Sequence, residues 1–208
     1  NEEFTFNYSL RRDRSDVHAN AKALRAVLAA VRSDGCGRIV SLGDVVGYGP
    51  SPAEAVALVR ENCDASVMGN HDAAVCGRMW TDDFVERAND TASSHRQQLD
   101  ADAIAWLKSR PYVFEGPGFA CAHGDFAHPE RFDYVSEAED AVPSWNARPE
   151  RLLFVGHTHN ALVHVVGADG APRLDPFTKA DFRLANVPMP DGEYVFEQRD
   201  GKAEFRRR

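Results

Sequence analysis

Four short apolar segments of this chain each end in residues of the kind that bind metal ions, always next to glycine. The four endings are Gly43-Asp44, Gly69-Asn70-His71-Asp72, His123-Gly124-Asp125 and Gly156-His157-Thr158-His159. A fifth cluster, Asp16-Val17-His18, precedes the first predicted helix. Open α/β sheets bind ligands at the carboxyl ends of their strands, so these five clusters can converge on one site. The pattern favours an α/β fold built around one polar centre.

Helices and strands alternate through the first two thirds of the chain. Apolar spacing and start signals such as Ser51-Pro52-Ala53-Glu54 predict helices at 21–31, 52–61 and 84–98, and Asp100 is predicted to cap a further helix that ends at Ser109. Short strands are predicted at 38–42, 65–68, 112–114, 119–122 and 152–155. The last part is richer in strands, with one at 162–166 and a hairpin formed by 193–198 and 203–207. We expect a single domain over residues 1–208, β-rich from about residue 150.

The acidic balance of the chain limits its partners. The formal net charge is −8, whereas proteins that bind duplex DNA or anionic membranes are usually basic. No uncharged apolar run approaches the ~18 residues of a membrane-spanning helix, and the first residues lack the apolar stretch of a signal peptide. The four cysteines, Cys36, Cys63, Cys76 and Cys121, form no C-x-x-C pair. We therefore expect free thiols in a reducing, cytoplasmic environment and no membrane partner, and the oligomeric state stays open.

The polar clusters together offer a mixed set of nitrogen and oxygen ligands. Two carboxylates, one amide and four imidazoles suit divalent Mn, Fe, Zn, Ni or Co better than the all-oxygen sites of Ca or Mg. One Asp-x-His pair, or one histidine at a strand end, is usually a surface or packing feature. The joint occurrence of the clusters, in order and at strand ends, is what indicates a metal site.

With their neighbours, the five clusters resemble the signatures of the calcineurin-like metallophosphoesterases. The matching segments are Asp16-Val17-His18-Ala19-Asn20, Gly43-Asp44, Gly69-Asn70-His71-Asp72, His123-Gly124 and Gly156-His157-Thr158-His159. The resemblance spans about residues 15–166 and implies a four-layer αββα sandwich. The run from Gly43 to Pro50 is also similar to the small bacterial YfcE-like phosphodiesterases. Gly47 and Tyr48 stand where the Ser/Thr protein phosphatases would have Asp and Arg, which argues against that branch.

The family resemblance also implies a dinuclear metal centre. By position, the first ion would be held by Asp16, His18 and His159, and the second by Asn70, His123 and His157. Asp44 would bridge the two ions. In two-metal hydrolysis a metal-activated water or hydroxide attacks phosphorus, and the ions stabilise the charge that develops.

Two residues beside the expected ligands are candidates for further roles. His71, which is not a ligand in this scheme, would protonate or stabilise the leaving oxygen. Asp72 would either orient His71 or cap a short helix beginning at Ala73, and the cap is favoured because adjacent side chains seldom face each other.

Residues that face the substrate are harder to identify from the sequence. The candidates are His128, Arg131 and Arg78, each of which could equally lie on a solvated surface. Tyr48 could line the pocket or only pack. His95 and His164 are expected to be structural or surface residues.

Two segments depart from the family pattern. The charged run Leu10-Arg11-Arg12-Asp13-Arg14 stands where the family has an apolar strand before Asp16, and it predicts an edge strand or a discontinuity there. Leu184-Ala185-Asn186-Val187 lacks the loop rich in Gly and Ser that the family has after Asn.

These expectations describe a metal-dependent phosphoester hydrolase, most consistent with a phosphodiesterase acting on a small phosphoester. A phosphomonoesterase or a nucleotide pyrophosphatase could use the same centre, because the pocket and not the metal selects the ester. A protein-interaction scaffold, as in the retromer subunit that resembles this family, need not keep a full ligand set, whereas this chain has one. Two divalent cations would halve the net negative charge, so metal can supply the positive charge that an anionic substrate needs. Extended nucleic acid is not expected as a partner.

Overall fold

The structure is a computed structural model that describes residues 4–6, 16–33, 38–81, 84–148, 152–160, 162–166, 171–176, 183–189, 192–199 and 202–207. Within these ranges the chain forms eleven strands and six α-helices. Helices and strands alternate through the first sheet, as the sequence predicts, three consecutive helices precede the second sheet, and antiparallel strands dominate the C-terminal part.

The first sheet is parallel. Its strands β1 (Phe4–Phe6), β2 (Arg38–Ser41) and β3 (Ala65–Ser66) pair in the order β1-β2-β3. The predicted helices α1 (Ala21–Ser33) and α2 (Pro52–Asn62) precede β2 and β3 respectively. The charged run at residues 10–14 lies outside the described residues, so the expectation stated for it stays a prediction.

Three helices follow the first sheet: α3 (Asn70–Cys76), α4 (Glu86–Gln98) and α5 (Ala101–Lys108). The predicted cap of α5 is confirmed, since the Asp100 carboxylate accepts a hydrogen bond from the Ala103 amide at 2.7 Å. The predicted start of a helix at Ala73 is wrong, because α3 begins at Asn70.

The early start of α3 follows from where Asp72 caps it. The Asp72 carboxylate lies inside the first turn and accepts a hydrogen bond from the Gly69 amide at 3.1 Å. An acidic residue at the third helical position commonly reaches back to the amide that precedes the helix. The sequence therefore indicated the right capping residue but placed it at the wrong position in the helix.

The second sheet joins β4 (Val113–Gly116), β5 (Phe119–Ala122) and β6 (Leu152–Phe154), with β4–β5 antiparallel and β5–β6 parallel. The helix α6 (Ala141–Ala147), which the sequence did not predict, lies between β5 and β6 in the chain. Further on, β7 (Leu162–Val166) pairs with β8 (Pro172–Pro176), and β9 (Arg183–Met189), β10 (Gly192–Arg199) and β11 (Lys202–Arg207) form an antiparallel sheet. The predicted hairpin is β10–β11, whereas β8 and β9 were missed.

The first and second sheets pack face to face. Alternate residues of a strand point to opposite faces of its sheet. One set of alternate residues from both sheets forms a shared apolar cluster: Val40, Leu42, Val67, Phe119 and Cys121. The two sheets are therefore the central layers of the fold.

Helices cover the outer face of each sheet. Ile39 of β2 belongs to the large apolar cluster that the first five helices build. On the other side, Ala120 and Ala122 of β5 form a cluster against which Ala147 of α6 packs. The order helix, sheet, sheet, helix is the αββα sandwich that the resemblance implied.

The cysteines of the described part of the chain are free thiols. Cys63, Cys76 and Cys121 form no disulfide, and Cys36 lies outside the described residues. Burial raises the pKa of the Cys121 thiol to about 12, which fits a packing residue between the sheets. Among the described residues, none of the helices combines the length and the apolar character needed to cross a bilayer.

Candidate metal centre

The polar clusters meet at the carboxyl ends of the strands of both central sheets. Asp44 follows β2, Asn70 follows β3, His123 follows β5 directly, and His157 follows β6. The cluster that contains Asp16 and His18 precedes α1 and joins the same centre. This convergence is what the sequence pattern predicts.

Positive φ angles concentrate at this centre. Among the described residues, the non-glycine positions with positive φ are His18, Ala19, Asp44, Tyr48, Phe132, His157 and His159. Such backbone costs on the order of 1 kcal/mol or more per residue and persists where surrounding contacts hold it. Here the His18 amide donates to the Asp44 carbonyl at 2.7 Å, and the Ala19 amide donates to the Val45 carbonyl at 2.8 Å.

We call Asp16, His18 and His159 the outer group. Their ligand atoms lie within 4.8 Å of one another. His159 Nε2 lies 3.1 Å from Asp16 Oδ2 and 3.1 Å from His18 Nε2. His18 Nδ1 lies 3.2 Å from the Val46 carbonyl oxygen, which can only accept, so the proton belongs on Nδ1 and the Nε2 lone pair faces the centre. Two imidazole nitrogens facing each other beside a carboxylate suit a shared cation.

We call Asn70, His123 and His157 the inner group. His123 Nδ1 lies 2.7 Å from the Leu42 carbonyl oxygen and donates to it, which directs Nε2 into the centre. His123 Nε2 lies 3.1 Å from Asn70 Oδ1 and 3.4 Å from Asp44 Oδ2. The ligand atoms of Asp44, His123 and His157 lie within 4.8 Å of one another.

Asp44 lies between the two groups. Its Oδ2 atom is 3.6 Å from His18 Nε2 in the outer group and 3.4 Å from His123 Nε2 in the inner group. Its Oδ1 atom accepts a hydrogen bond from the His71 amide at 2.9 Å. One carboxylate oxygen thus faces ligand nitrogens of both groups, as a bridging ligand requires.

The charges of the centre call for a cation. Burial opposes ionisation of Asp16 and Asp44, yet the neighbouring histidines outweigh it and hold the pKa of both carboxyls below the usual value. For His123, burial lowers the pKa, but Asp44 and Asp16 outweigh it and raise the pKa to about 9. Burial and the charge of His123 lower the pKa of His157 to about 4. Ionised carboxylates beside imidazole nitrogens are a donor set that fits divalent transition metals.

His71 lies at the edge of this centre. Its buried ring is 4.9 Å from that of His18 and 4.6 Å from that of Tyr48, and its Nδ1 has no hydrogen-bond partner among the described residues. Burial lowers the pKa of His71. Because its ligand atom lies within 4.8 Å of those of His18 and Asp44, His71 reaches the space between the groups.

Asp72 does not need His71 as a partner. Its carboxylate, which is fully buried, accepts the amide hydrogens of Val46 and Gly69, each at 3.1 Å. Burial and the charge of Asp44 raise the pKa of Asp72 to about 7. Of the two roles expected for Asp72, these contacts fit the helix cap.

The three candidate substrate residues lie in two places. His128 and Arg131 are exposed on the loop after β5, where Arg131 Nε lies 3.3 Å from Asp133 Oδ2. Arg78 instead donates to the carbonyls of Lys108 and Arg110, at 3.2 and 3.0 Å. These bonds occupy Arg78 at the end of α5, so we do not include it among the proposed substrate contacts.

Comparison with known proteins identifies the family. The calcineurin-like phosphoesterase superfamily domain matches residues 14–175. The chain belongs to this superfamily. A crystal structure of a metallophosphoesterase from Sphaerobacter thermophilus is 31% identical, covers 92% of this chain and 85% of its own, and superposes with a TM-score of 0.66. An uncharacterized protein of Methanocaldococcus jannaschii is 33% identical over 92% of this chain and 84% of its own length.

A third relative carries a specific activity in its name. It is the symmetrical bis(5'-nucleosyl)-tetraphosphatase of Aromatoleum aromaticum, 30% identical over 56% of this chain and 38% of the relative. The superfamily and the αββα fold inferred from the sequence are thus confirmed. None of these three names mentions the YfcE-like branch, which stays a prediction.

Two residues beside the candidate centre were not predicted as functional. Tyr134, whose side chain is 61% exposed, stacks on the His157 ring with centroids 3.8 Å apart and planes 15° apart. His95 of α4 is buried and contacts the loop after Asp44. Tyr134 had no sequence signal beyond an aromatic residue in a polar loop. His95 stood out only as a histidine in a mostly polar helix.

Proposed function

We propose that this protein is a metal-dependent phosphodiesterase that hydrolyses a small phosphoester through a dinuclear centre. The outer group would hold one divalent cation and the inner group the other, with Asp44 as the shared ligand. Manganese, iron, zinc, nickel and cobalt all suit this mixture of imidazole, amide and carboxylate ligands. Membership of the phosphoesterase superfamily supports the reaction class.

The observation that carries this proposal is the position of Asp44 Oδ2. It lies 3.6 Å from His18 Nε2 and 3.4 Å from His123 Nε2, and each of these nitrogens belongs to a separate ligand group. A carboxylate in this position can hold two cations about 3.5–4 Å apart, the separation used in two-metal hydrolysis.

Bound cations would supply Lewis acidity and an activated water at this centre. The residues of the chain would do the rest. Asp44 would fix the two ligand groups relative to each other, and the hydrogen bonds of His18 and His123 to backbone carbonyls would keep their Nε2 atoms directed inward. His71, beside the centre, would give a proton to the leaving oxygen or stabilise it.

The substrate would approach from the loop after β5. His128 and Arg131 are exposed on this loop, and Tyr134 on the same loop stacks on His157. A small phosphoester matches the net charge of −8, which disfavours wide contact with a polyanion.

A second candidate is the hydrolysis of a nucleoside polyphosphate. The similarity to a symmetrical bis(5'-nucleosyl)-tetraphosphatase favours hydrolysis of a nucleoside polyphosphate over hydrolysis of a simple monoester. The same cations would serve both reactions, because both are attacks of water on phosphorus.

The test of the metal centre is Asp44→Asn, with Asp64→Asn as the control. Asp64 is an exposed carboxylate that accepts the Ile39 amide at 2.8 Å, and it belongs to neither ligand group. We expect Asp44→Asn to lower kcat by about 10³-fold, since several kcal/mol of charge stabilisation is lost. It should also lower the number of Mn²⁺ ions bound, measured by calorimetry and elemental analysis. Unchanged metal content and unchanged hydrolysis would contradict the proposal.

The test of the substrate class is a comparison of protein loaded with Mn²⁺, Ni²⁺ or Zn²⁺ on three esters. A generic aryl phosphodiester, the matching monoester and a dinucleoside tetraphosphate would be compared by kcat/KM. We expect the diester to be turned over faster than the monoester. The reverse order would contradict the phosphodiesterase assignment, and preference for the tetraphosphate would favour the second candidate. Metal binding without turnover of any ester would favour the hypothesis that the protein is a non-catalytic protein-interaction scaffold.

A further inference from the structure

The loop after Asp44, residues 45–50, has a backbone that needs outside support. Gly47 has φ of +93° and Tyr48 has φ of +56°. Glycine adopts such angles readily, but a side chain such as that of Tyr48 pays roughly 1–2 kcal/mol there. Two consecutive residues of this kind keep one conformation only if neighbouring groups hold the loop in place.

His95 of α4 provides that support through both of its ring nitrogens. The Gly47 amide donates to Nδ1 at 3.0 Å, and Nε2 lies 2.9 Å from the Gly49 carbonyl oxygen. An amide can only donate and a carbonyl can only accept, so Nδ1 carries the lone pair and Nε2 carries the proton. His95, which is 2% exposed, is therefore a neutral imidazole in one defined tautomer.

The two glycines that His95 binds are also the ones that contact the centre. The His71 ring packs on the bare backbone of Gly47, where an added Cβ would lie 2.5 Å from His71 Nδ1. The Gly49 amide donates to the His18 carbonyl at 3.0 Å. A displacement of the loop would therefore move the surface beneath His71 and loosen the turn that carries His18.

We propose that His95 is a positioning residue for the hydrolytic reaction. Its two hydrogen bonds fix Gly47 and Gly49, and through them the placement of the His71 ring beside Asp44. His95 acts through the loop and not on the substrate. The inference rests on the proposed function, because its catalytic readout is phosphoester hydrolysis.

The neighbouring residue Arg96 allows this role to be separated from simple anchoring of α4. Its guanidinium donates to the carbonyls of Ala74 and Val75, at 2.7 and 2.8 Å. Arg96 thus makes two hydrogen bonds from the same helix, but they are directed to the C-terminal end of α3 and not to the loop. Arg96→Met is therefore a matched control for His95→Phe.

The experiment compares kcat, KM and Mn²⁺ affinity in wild type, His95→Phe and Arg96→Met. We expect His95→Phe to lower kcat by about 10- to 100-fold, because a displacement of a catalytic group by about 1 Å can reduce the rate by this much. Its KM should stay within about twofold of wild type, and any loss of Mn²⁺ affinity should be confined to the outer cation, because Gly49 supports the turn that carries His18. Arg96→Met should lower the melting temperature but leave kcat within about twofold.

Two amide variants test whether the hydrogen bonds carry the effect. The Oδ1 atom of asparagine can take the place of Nδ1 and accept from Gly47, whereas the amide nitrogen of glutamine can take the place of Nε2 and donate to Gly49. Because Gly47 underlies His71, we expect His95→Asn to recover more of kcat than His95→Gln. If neither variant recovers more activity than His95→Phe, hydrogen bonding is not what His95 contributes and the proposal is overturned.

Hydrogen exchange of the amides in residues 45–50 separates failure of this proposal from failure of the proposed function. Faster exchange there in His95→Phe but not in Arg96→Met, together with the loss of kcat, supports the positioning role. Unchanged kcat in His95→Phe, or an equal loss in Arg96→Met, overturns it while wild-type turnover keeps the proposed function. Absence of turnover in the metal-loaded wild type overturns the proposed function. Independently of turnover, unchanged hydrogen exchange in His95→Phe would show that His95 does not hold the loop in place.

Discussion

The two ligand groups of the centre differ in burial and in how firmly their side chains are held. In the inner group, the side chain of His123 is 0% exposed. In the outer group, Asp16 is fully buried but the side chain of His159 is 39% exposed. His123 lies 2.7 Å from its carbonyl acceptor, whereas His18 lies 3.2 Å from its own. The inner group is thus the more preorganised of the two.

If two cations bind as proposed, this difference in burial and orientation predicts which of them is held more tightly. Burial strengthens the interaction between a cation and its ligands, because water screens it less. A ligand that is already oriented also loses less conformational freedom when the cation binds. The inner group should therefore bind its cation more tightly, and the outer cation should exchange more readily with solvent.

Removal of an inner ligand should have the largest effect. We expect His123→Ala to lower kcat by about 10³-fold or more, because several kcal/mol of charge stabilisation disappears with the inner cation. Steady-state kinetics and elemental analysis measure both losses. If His123→Ala retained both cations and more than about a tenth of kcat, the prediction that the inner group binds its cation more tightly than the outer group would be contradicted.

Removal of the exposed outer ligand should have a smaller and reversible effect. We expect His159→Ala to lower the affinity for the outer cation by about 10- to 100-fold and to leave the inner cation bound. Excess Mn²⁺ should then restore most of the activity, in contrast to His123→Ala. Calorimetric titration of the two variants provides the comparison, and equal losses in both variants would show that the groups are equivalent.

The aromatic support of the inner group should contribute less again. The Tyr134 ring stacks on the His157 ring at 3.8 Å, and such contacts contribute about 0.5–1.5 kcal/mol. Tyr134→Ala should therefore lower the affinity for the inner cation by about 2- to 12-fold. Tyr134→Phe keeps the ring and should bind as wild type does. A loss in Tyr134→Phe equal to that in Tyr134→Ala would assign the effect to the hydroxyl instead.

The smallest expected effect is a pH dependence of stability that only the cation-free protein shows. The pKa of His123 is raised from 6.5 to about 9, so its protonated form stabilises the fold fully below pH 6.5 and that contribution is lost as the pH rises through about 9. After chelation, the melting temperature should fall by about 3–6 °C between pH 7.5 and 9. This window lies above the pKa of Asp72, which is raised to about 7.

The matched control for this pH effect is chelated His123→Asn, whose slope should be much flatter than that of wild type. His159 also has a raised pKa, through its hydrogen bond with Asp16, and burial raises the pKa values of the Cys63 and Cys121 thiols to about 12; these groups should account for the remaining slope. In metal-loaded protein the cation takes the place of the proton, so the fall should disappear. A melting temperature that is constant or rises with pH after chelation would contradict the charge pairing of His123 with Asp44.

The convergence of the candidate ligand residues could be predicted from the sequence because these residues lie in short runs at strand ends. Asp44, Asn70, His123 and His157 each follow a strand that the sequence marks clearly, and the topology of an α/β sheet brings such ends together. The cap of α5 at Asp100 was equally local and was confirmed. In these places the local pattern and the tertiary structure agree.

The parts that could not be predicted depend on contacts between distant segments. His95 lies about 50 positions from Gly47 in the chain, and no local pattern connects a histidine in a polar helix with that loop. Tyr134 is recognisable only once the loop after β5 lies against His157. The start of α3 at Asn70 is a different case, because the contact between Asp72 and the Gly69 amide that sets it is local and the sequence prediction placed the cap too late.

The electron paramagnetic resonance spectrum of the protein loaded with two equivalents of Mn²⁺ tests the shared role of Asp44 most directly. If Asp44 bridges the inner and outer cations, the ions lie about 3.5–4 Å apart. The spectrum should then show a multiline signal from two exchange-coupled Mn²⁺ ions, and Asp44→Asn should abolish that signal. Two magnetically isolated ions, each with an ordinary six-line spectrum in wild type, would contradict a bridged dinuclear centre.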